Sequence, residues 1–529
     1  MPGEGVLPVK MLFVSSRSAS VLLDPQGLYE AGSRRSLVLN GTKLEDESHS
    51  VCSLFSLWPD TEYVLESEDA EGNHESIAFR TKKESCSLDV RRFGAKGDGI
   101  HDDTPMLQAA ILSCPEGGRV VVPEGNYRTG PLFLKSDMLL EIKEGAVLQL
   151  DTDRSRFPVM PGVTRTTDEQ GETILGLFEG NPLDCYAGAL NGIGIHNTSV
   201  IGRGVIDGQA DKGDWWINPK ERKDAFRGNL FYLQRCSDIA VQGITFRNSP
   251  CWNLHPAFSQ NLDFIGIRVQ APYHSPNTDG FDPESCRNVR LLGAEIAVGD
   301  DCIAIKSGKI YLGSKYHTPC EQIEIAWSAM LHGHGGVTLG SEMAGGVKDV
   351  RVHHCYMDGN DRGLRIKTRR GRGKYGVIDG ILFEDIVMNG VKMPLVVNSF
   401  YHCDPDGRSA WVQSREAQLV DDTTPTIGRI AFKRIRAEEC GACAAYVLGL
   451  PEKPVECISL KDCEFAFRKD AEAIEPAMAE GVEAVARRGL IVKNVRVLKV
   501  QGVAFSGIEG QSIDAEQVGS LQIQDVDSK

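Results

Sequence analysis

The chain has 529 residues, too many for one ordinary compact core, so it holds either several domains or one elongated repeat architecture. Charged residues make up 25% and apolar ones 41%, the balance of an ordered globular chain. A net charge of −15 lacks the basic footprint that nucleic acid or an anionic membrane requires, so neither is the expected partner, and a polyanionic substrate would need a locally basic groove.

In chain order, Met1 to Lys10 shows no basic region followed by an apolar stretch, and no later run reaches membrane-spanning length. The chain therefore reads as cytoplasmic, or as secreted if a leader has been removed. Its 15 cysteines are odd in number and scattered through strand-like patterns, which suits reduced, buried thiols. Cys440 and Cys443 have redox-motif spacing, but both flanks read as strand and not as a helix N-terminus, so they too are expected to be buried thiols. Up to Thr81, short alternating strands separated by turns predict a small β-sandwich within residues 1–85. Leu57 to Tyr63, followed by Ser76 to Thr81, resembles the end of a fibronectin type III domain, and that resemblance makes Tyr63 a structural tyrosine corner. Lys82 to Ser85 reads as a polar linker.

From Asp89 the character changes. Phe93-Gly-Ala-Lys-Gly-Asp-Gly99 shares its glycines with phosphate loops but not their Gly-Lys-Ser/Thr ending, so a turn is expected. Pro105 to Leu112 has helical apolar spacing, with Thr104 as the expected N-cap. Arg119 to Pro123 and Leu139 to Leu150 are short apolar strands broken by Gly and Pro. This opening resembles the N-terminal cap of the pectin-lyase-like β-helix superfamily.

A degenerate repeat then sets the architecture. Apolar strand starts recur at Val200, Ile239, Leu262, Val289, Ile323, Val350, Ile381, Ile430 and Ile458, mostly roughly 23 to 35 residues apart and often just after Asp or Asn. Each unit holds short strands and Gly/Asn turns without a helix, which disfavours helical and leucine-rich repeats, while a propeller would need four strands per unit. The fold class expected for residues 86–529 is all-β, a right-handed parallel β-helix. Positions one coil apart, about 21 to 30 residues, would then stack roughly 4.8 Å apart.

That geometry gathers four motifs: Asn277-Thr278-Asp279-Gly280, Gly299-Asp300-Asp301-Cys302, Gly333-His334-Gly335 and Arg365-Ile366-Lys367. Asp279 precedes Asp300 by 21 residues, about one coil, so three carboxylates are expected in one patch. Arg365 and Lys367 are i and i+2 and share a strand face. Taken singly, each motif has a plain structural reading: a turn, a solvated or calcium-binding acid pair, a turn histidine, a half-exposed strand. Together and in this order they predict a functional cluster, because like charges gather only where something is gained. His332 with His334, and His353 with His354, lack further ligands at zinc spacing, so neither a metal nor another cofactor is expected.

The motifs, their order and their spacing resemble the polygalacturonase family of glycoside hydrolases, over about Ser87 to Ser459. Phe178-Glu179-Gly180, Asn248 to Trp252 with His255-Pro256, and Phe400 to Gly407 resemble its bacterial exo-acting members, which often carry a fibronectin-like N-terminal domain. Phe226-Arg227-Gly228-Asn229 departs from the Arg-Pro common there. The resemblance implies hydrolysis of α-1,4-galacturonosidic bonds in poly- or oligogalacturonate with inversion, and exo-action. By the same resemblance Asp300 is the acid, Asp279 and Asp301 hold the water as shared base, His334 tunes the acid, and Asn277 and Tyr401 contact substrate. Inversion needs one protonated and one ionised carboxyl, and mutual repulsion raises at least one of the three acids. Arg365 and Lys367 supply the cations that a galacturonate carboxylate would seek, and the following Arg369-Arg370-Gly-Arg372-Gly-Lys374 reads either as groove lining or as a solvated loop. A lyase on the same fold would need calcium ligands and an abstracting base, a rhamnogalacturonan hydrolase a weaker clamp, and a sugar-binding β-helix no perturbed acids.

Overall fold

The computed structural model describes residues 9–165 and 172–528; Met1 to Pro8, most of the segment searched for a leader, lie outside them. In the N-terminal part, Glu62–Glu68 alternates strictly between exposed and buried positions, the period-2 pattern of a half-buried strand. It belongs to a five-stranded antiparallel sheet with Glu30–Leu39, Thr42–Lys43, Glu47–His49 and His74–Arg80. This sheet and a three-stranded one, Lys10–Val14, Ala19–Leu22 and Val51–Leu54, enclose a core that includes Leu37, Leu54, Leu57 and Leu65. The Tyr63 hydroxyl accepts a hydrogen bond from the Trp58 backbone N–H at 2.9 Å, the contact expected of a tyrosine corner.

Beyond this unit the described chain is mostly parallel strand. Twenty-eight strands form one continuous sheet in which each coil pairs with the next, the topology of the right-handed parallel β-helix. The repeat is visible as a column of stacked residues: Ile239, Leu262, Val289, Ile323, Val350, Ile381, Ile430 and Ile458 are partners in successive registers. Val200 is not in this column; Thr198 pairs with Ile239, and Val200 sits two residues on, beside Val241. All the aliphatic members are buried, and truncating one to Ala would cost about 2–5 kcal/mol. The Asp or Asn before several of them has a turn role. Asp238, Asn261 and Asn288 adopt positive φ, and their side chains form a ladder, Asn261 Nδ2 donating to Asp238 and Asn288 Nδ2 to Asn261.

The helix Thr104–Ser113 covers the first coils with Leu107, Ala110 and Ile111. Thr104 is its first residue and Asp103 occupies the N-cap position, contrary to the expected assignment. Asp103 makes no cap bond because its carboxylate accepts from the backbone N–H groups of Lys96 and Gly97. Those amides are thereby taken, and the glycine run turns only at Gly94, after a 3-10 helix over Val90–Phe93, before entering the strand Asp98–Asp102.

The sandwich docks on the side of the coils. Leu22 and Val51 pack against Ile265, Leu292, Ala326 and Trp327, and the Gln242 amide donates to Ala19 O and Ser20 Oγ. Gly243 is required there: its φ is +76°, and a Cβ would lie 2.4 Å from the Phe55 ring.

Candidate functional site

Parallel stacking delivers the motif residues to one cleft. Phe281 bridges Ile303, so Asp279 lies level with Asp301, one residue further along than the spacing to Asp300 suggested. Thr338 pairs with Arg365 and Ala304 with Thr338, which places the Arg365-Ile366-Lys367 strand end two coils from Asp301 and three from Asp279. Long side chains span that gap. The cleft is lined by Asn277, Asp279, Asp300, Asp301, Lys367 and Tyr401, all read from the sequence. Glu179, Lys220, Trp252, Lys306, Lys309, Ser341, Glu342, Cys403 and Asp404 complete it. A roomier cleft of about 420 Å³ lies between the sandwich and the coils, lined by Tyr29, His49, Phe55 and Arg203 among others, and holds none of the motif residues.

Oxygens of Asp279, Asp300 and Asp301 fall within 4.8 Å of one another. Asp301 is 1% exposed, and both its oxygens are served: Lys367 Nζ donates to Oδ2 at 2.7 Å and Arg365 Nη1 to Oδ1 at 3.4 Å. Burial alone would raise its pKa, but Lys367 and then Arg365 overcome it and hold the carboxylate well below the usual range. Asp279 is also buried, and burial followed by the charge of Asp300 pushes it up to about 7, against the opposing pull of Lys306. The cluster thus keeps a proton near neutrality with Asp279 as the raised group, burial contributing more than the mutual repulsion expected from the sequence. Three carboxylates this close could meet one cation, but ammonium and guanidinium groups already face two of them.

His334 Nδ1 stands 3.3 Å from Asp300 Oδ1 at the open side of the cleft, and its pKa is raised by that contact against partial burial. Its backbone N–H donates to Asp300 O, which fixes the ring beside the acid. Tyr401 is buried between the two cations, its ring 5.7 Å from the Arg365 guanidinium carbon and 5.3 Å from Lys367 Nζ. Asn277 takes positive φ, and its Oδ1 accepts from Arg227 Nη2 at 2.8 Å. Arg227 also donates to Pro250 O and Pro276 O, so it braces the turn that carries Asn277. The following glycine has a steric reason: a Cβ on Gly228 would lie 2.3 Å from Tyr186 O.

The basic cluster after Lys367 is neither groove lining nor, for the most part, a solvated loop. Arg369, Arg370 and Arg372 are buried. Arg369 pairs with Asp404 and Asp406, Arg372 with Asp404, and Arg370 with Glu452 while also donating to the carbonyls of Trp411, Val412 and Ser414. They fasten the segment from Asp404 onward against the coils as a wall of the cleft. Lys374 alone is solvated, paired with Asp422. On the other side Lys220, within the long segment after Asp211, pairs with Glu179 at the rim.

Lys306, Asp282 and Glu342 are among the residues of the site not singled out from the sequence. Lys306 Nζ lies 3.6 Å from Asp279, 3.5 Å from Asp282 and 3.2 Å from Glu342, and 4.1 Å from the Trp252 ring centroid. A signal for it existed: Ala304-Ile305-Lys306 repeats the alternation of Arg365-Ile366-Lys367. Asp282 closes the same motif as Asp279, two residues beyond the glycine at which that motif was taken to end. The cysteines are all free thiols, with Cys440 and Cys443 buried, and the Cys443–Leu448 segment is a strand.

Residues 180–473 match the family described as Glycosyl hydrolases family 28, and residues 87–139 match Rhamnogalacturonase A/epimerase, pectate lyase-like. A "Probable polygalacturonase" of Vitis vinifera is 33% identical over 382 residues, 69% of this chain and 72% of that protein. The family 28 exopolygalacturonase of Yersinia enterocolitica superposes with a TM-score of 0.73 over 97% of this chain and 98% of its own, at 18% identity, a likeness of fold. The hyperthermoactive exopolygalacturonase of Thermotoga maritima gives 0.60 over 78% and 91% of the two chains at 25% identity.

Proposed function

Because the chain belongs to glycosyl hydrolase family 28, we propose that it hydrolyses α-1,4-galacturonosidic bonds of polygalacturonate or its oligomers, releasing product from one chain end with inversion. The observation that carries this reading is the pairing of Arg365 and Lys367 with Asp301 inside the three-acid cleft, which puts fixed cations where a sugar carboxylate and the scissile bond would meet. In this scheme Asp300, the most open of the three and the one beside His334, protonates the leaving oxygen. Asp279 and Asp301 hold the water between them, and Asn277 and Tyr401 contact the substrate.

Exo-action is supported by the walls. The segments beginning at Asp211 and Asp404 each contribute cleft residues, Lys220 and Asp404, and the second is fastened by three buried arginines. The Thermotoga exopolygalacturonase is a further support. The acids stand closer than the roughly 6.5–9.5 Å usual when one base activates water opposite the acid. That closeness suits a water shared by two carboxylates. It also fits double displacement, in which Asp279 would have to be the nucleophile because Asp301 spends both oxygens on cations. Early-time NMR of the first product decides: an inverted anomer is expected, and a retained one rejects the scheme. Digestion of polygalacturonate should release short products from the outset with slow loss of viscosity; rapid thinning with few new reducing ends rejects exo-action.

A further inference from the structure

The acids of the cleft are served unevenly. Asp301 is matched by Lys367 and Arg365, and Asp300 by His334. Asp279 forms an ion pair with Lys306 alone among the described residues. That ammonium is 4% exposed, rests on the Trp252 ring and also reaches Asp282 and Glu342, so it acts where water screens it little. Asp282 is 0% exposed, and neither of its oxygens has a hydrogen-bond partner in the described structure. Burial and then Asp279 push it well above the usual carboxyl range, against the pull of Lys306. Burial would lower Lys306, but Glu342, then Asp279 and Asp282, keep it protonated. Glu342 is held ionised chiefly by Lys306 and Lys309.

We infer that Lys306 is a positioning residue for the water-holding carboxyl: its ammonium, 3.6 Å from Asp279 and held by the Trp252 ring and Glu342, is the charge that lets Asp279 ionise and act as base despite its burial beside two other acids. This rests on the hydrolase scheme above. The other cations near Asp279 and Glu342 are committed elsewhere. Lys367 is bound to Asp301, while Lys309 and Arg372 pair with Asp404. Without Lys306 no described ion pair would oppose the burial of Asp279, its ionisation would move to higher pH, and the water would lose a base.

The experiment compares wild type with Lys306→Met and Lys306→Arg on defined oligogalacturonides across pH. For Lys306→Met, kcat should fall at least about tenfold with KM within about threefold, and the ascending limb of the kcat/KM profile should move up by about one pH unit. Lys306→Arg should keep the limbs near wild type. Unmoved limbs in Lys306→Met would reduce Lys306 to a brace, and a raised KM with intact kcat would make it a substrate contact; either overturns the inference. The double variant Lys306→Met/Glu342→Gln removes a buried opposite charge as well and should show the same displacement if the single variant does not fold. A readout independent of catalysis is the melting temperature against pH. A carboxyl raised to about 7 stabilises the fold at low pH and loses that contribution as pH rises to 7. In Lys306→Met the loss should continue above pH 7, and melting curves with the wild-type pH dependence would overturn the inference. If the wild type fails to cleave polygalacturonate, the hydrolase reading falls, while the melting series still tests Lys306.

Discussion

Residues 365–372 contain five cations that serve two regions of the molecule. Arg365 and Lys367 turn into the cleft and meet Asp301, whereas Arg369, Arg370 and Arg372 turn toward Asp404, Asp406 and Glu452 and hold a wall. The side chains are of the same kind and similarly buried, so neither charge nor exposure separates them. Their partners do. In the cleft, cations face an acid that itself faces two other acids, a frustrated arrangement that makes sense only around chemistry. In the wall each arginine meets carboxylates or carbonyls with no competing acid cluster, which is the arrangement of structure.

The largest expected effect breaks the cleft side at its centre. Asp300→Asn keeps shape and removes the transferable proton, so kcat should fall about a thousandfold or more while oligogalacturonide binding, measured by calorimetry, persists. Near-normal turnover would move the acid elsewhere. On the wall side Arg370→Met leaves Glu452 buried without its partner, and about 3–5 kcal/mol of stability should be lost. Thermal melting should show it. If Arg370→Met instead melts like wild type but loses kcat, the two regions are not separate.

Arg365→Gln and Lys367→Gln should each lower kcat/KM about tenfold or more, because a substrate carboxylate loses a charged partner. Unchanged kinetics in both would remove them from the site. The pH profile sharpens the same contrast. Asp279, which burial and Asp300 push up to about 7, is the base of the scheme, so kcat/KM should reach half its plateau near pH 7 on the ascending limb and fall away below it. A profile flat from pH 5 to 7 would mean that Asp279 is not the base.

How much of this was legible in the sequence follows from which physics acts locally. The column from Ile239 to Ile458 was readable because solenoid coils impose their period on the apolar residues. Val200 was placed two residues off because the coil that pairs with Ile239 offers Thr198 there, a residue that hides the repeat. The three acids were readable from spacing. Lys306 was not, since a lysine ending an apolar strand is ordinary until the fold shows three carboxylates around it. The arginine cluster was misread for the converse reason: its partners lie at Asp404, Asp406 and Glu452, too far along the chain for any local pattern to pair them.

Lys374 supplies the smallest and most exposed test. It ends the basic run, and a groove lined by that run would include it. In the structure it pairs with Asp422 at 2.7 Å, with both side chains about half or more in solvent, and it does not line the cleft. An exposed pair of this kind contributes little and is screened by salt. Lys374→Ala should therefore leave kcat/KM, the salt dependence of KM and the melting temperature as they are. The substitution is informative because an acidic polymer reaching past the wall would be felt first by an unpaired or loosely paired cation at its edge. If Lys374→Ala raises KM for long galacturonates and not for short ones, substrate runs over the wall, which would then not close the cleft, and the division between clamping and fastening cations would have to be drawn beyond Arg372.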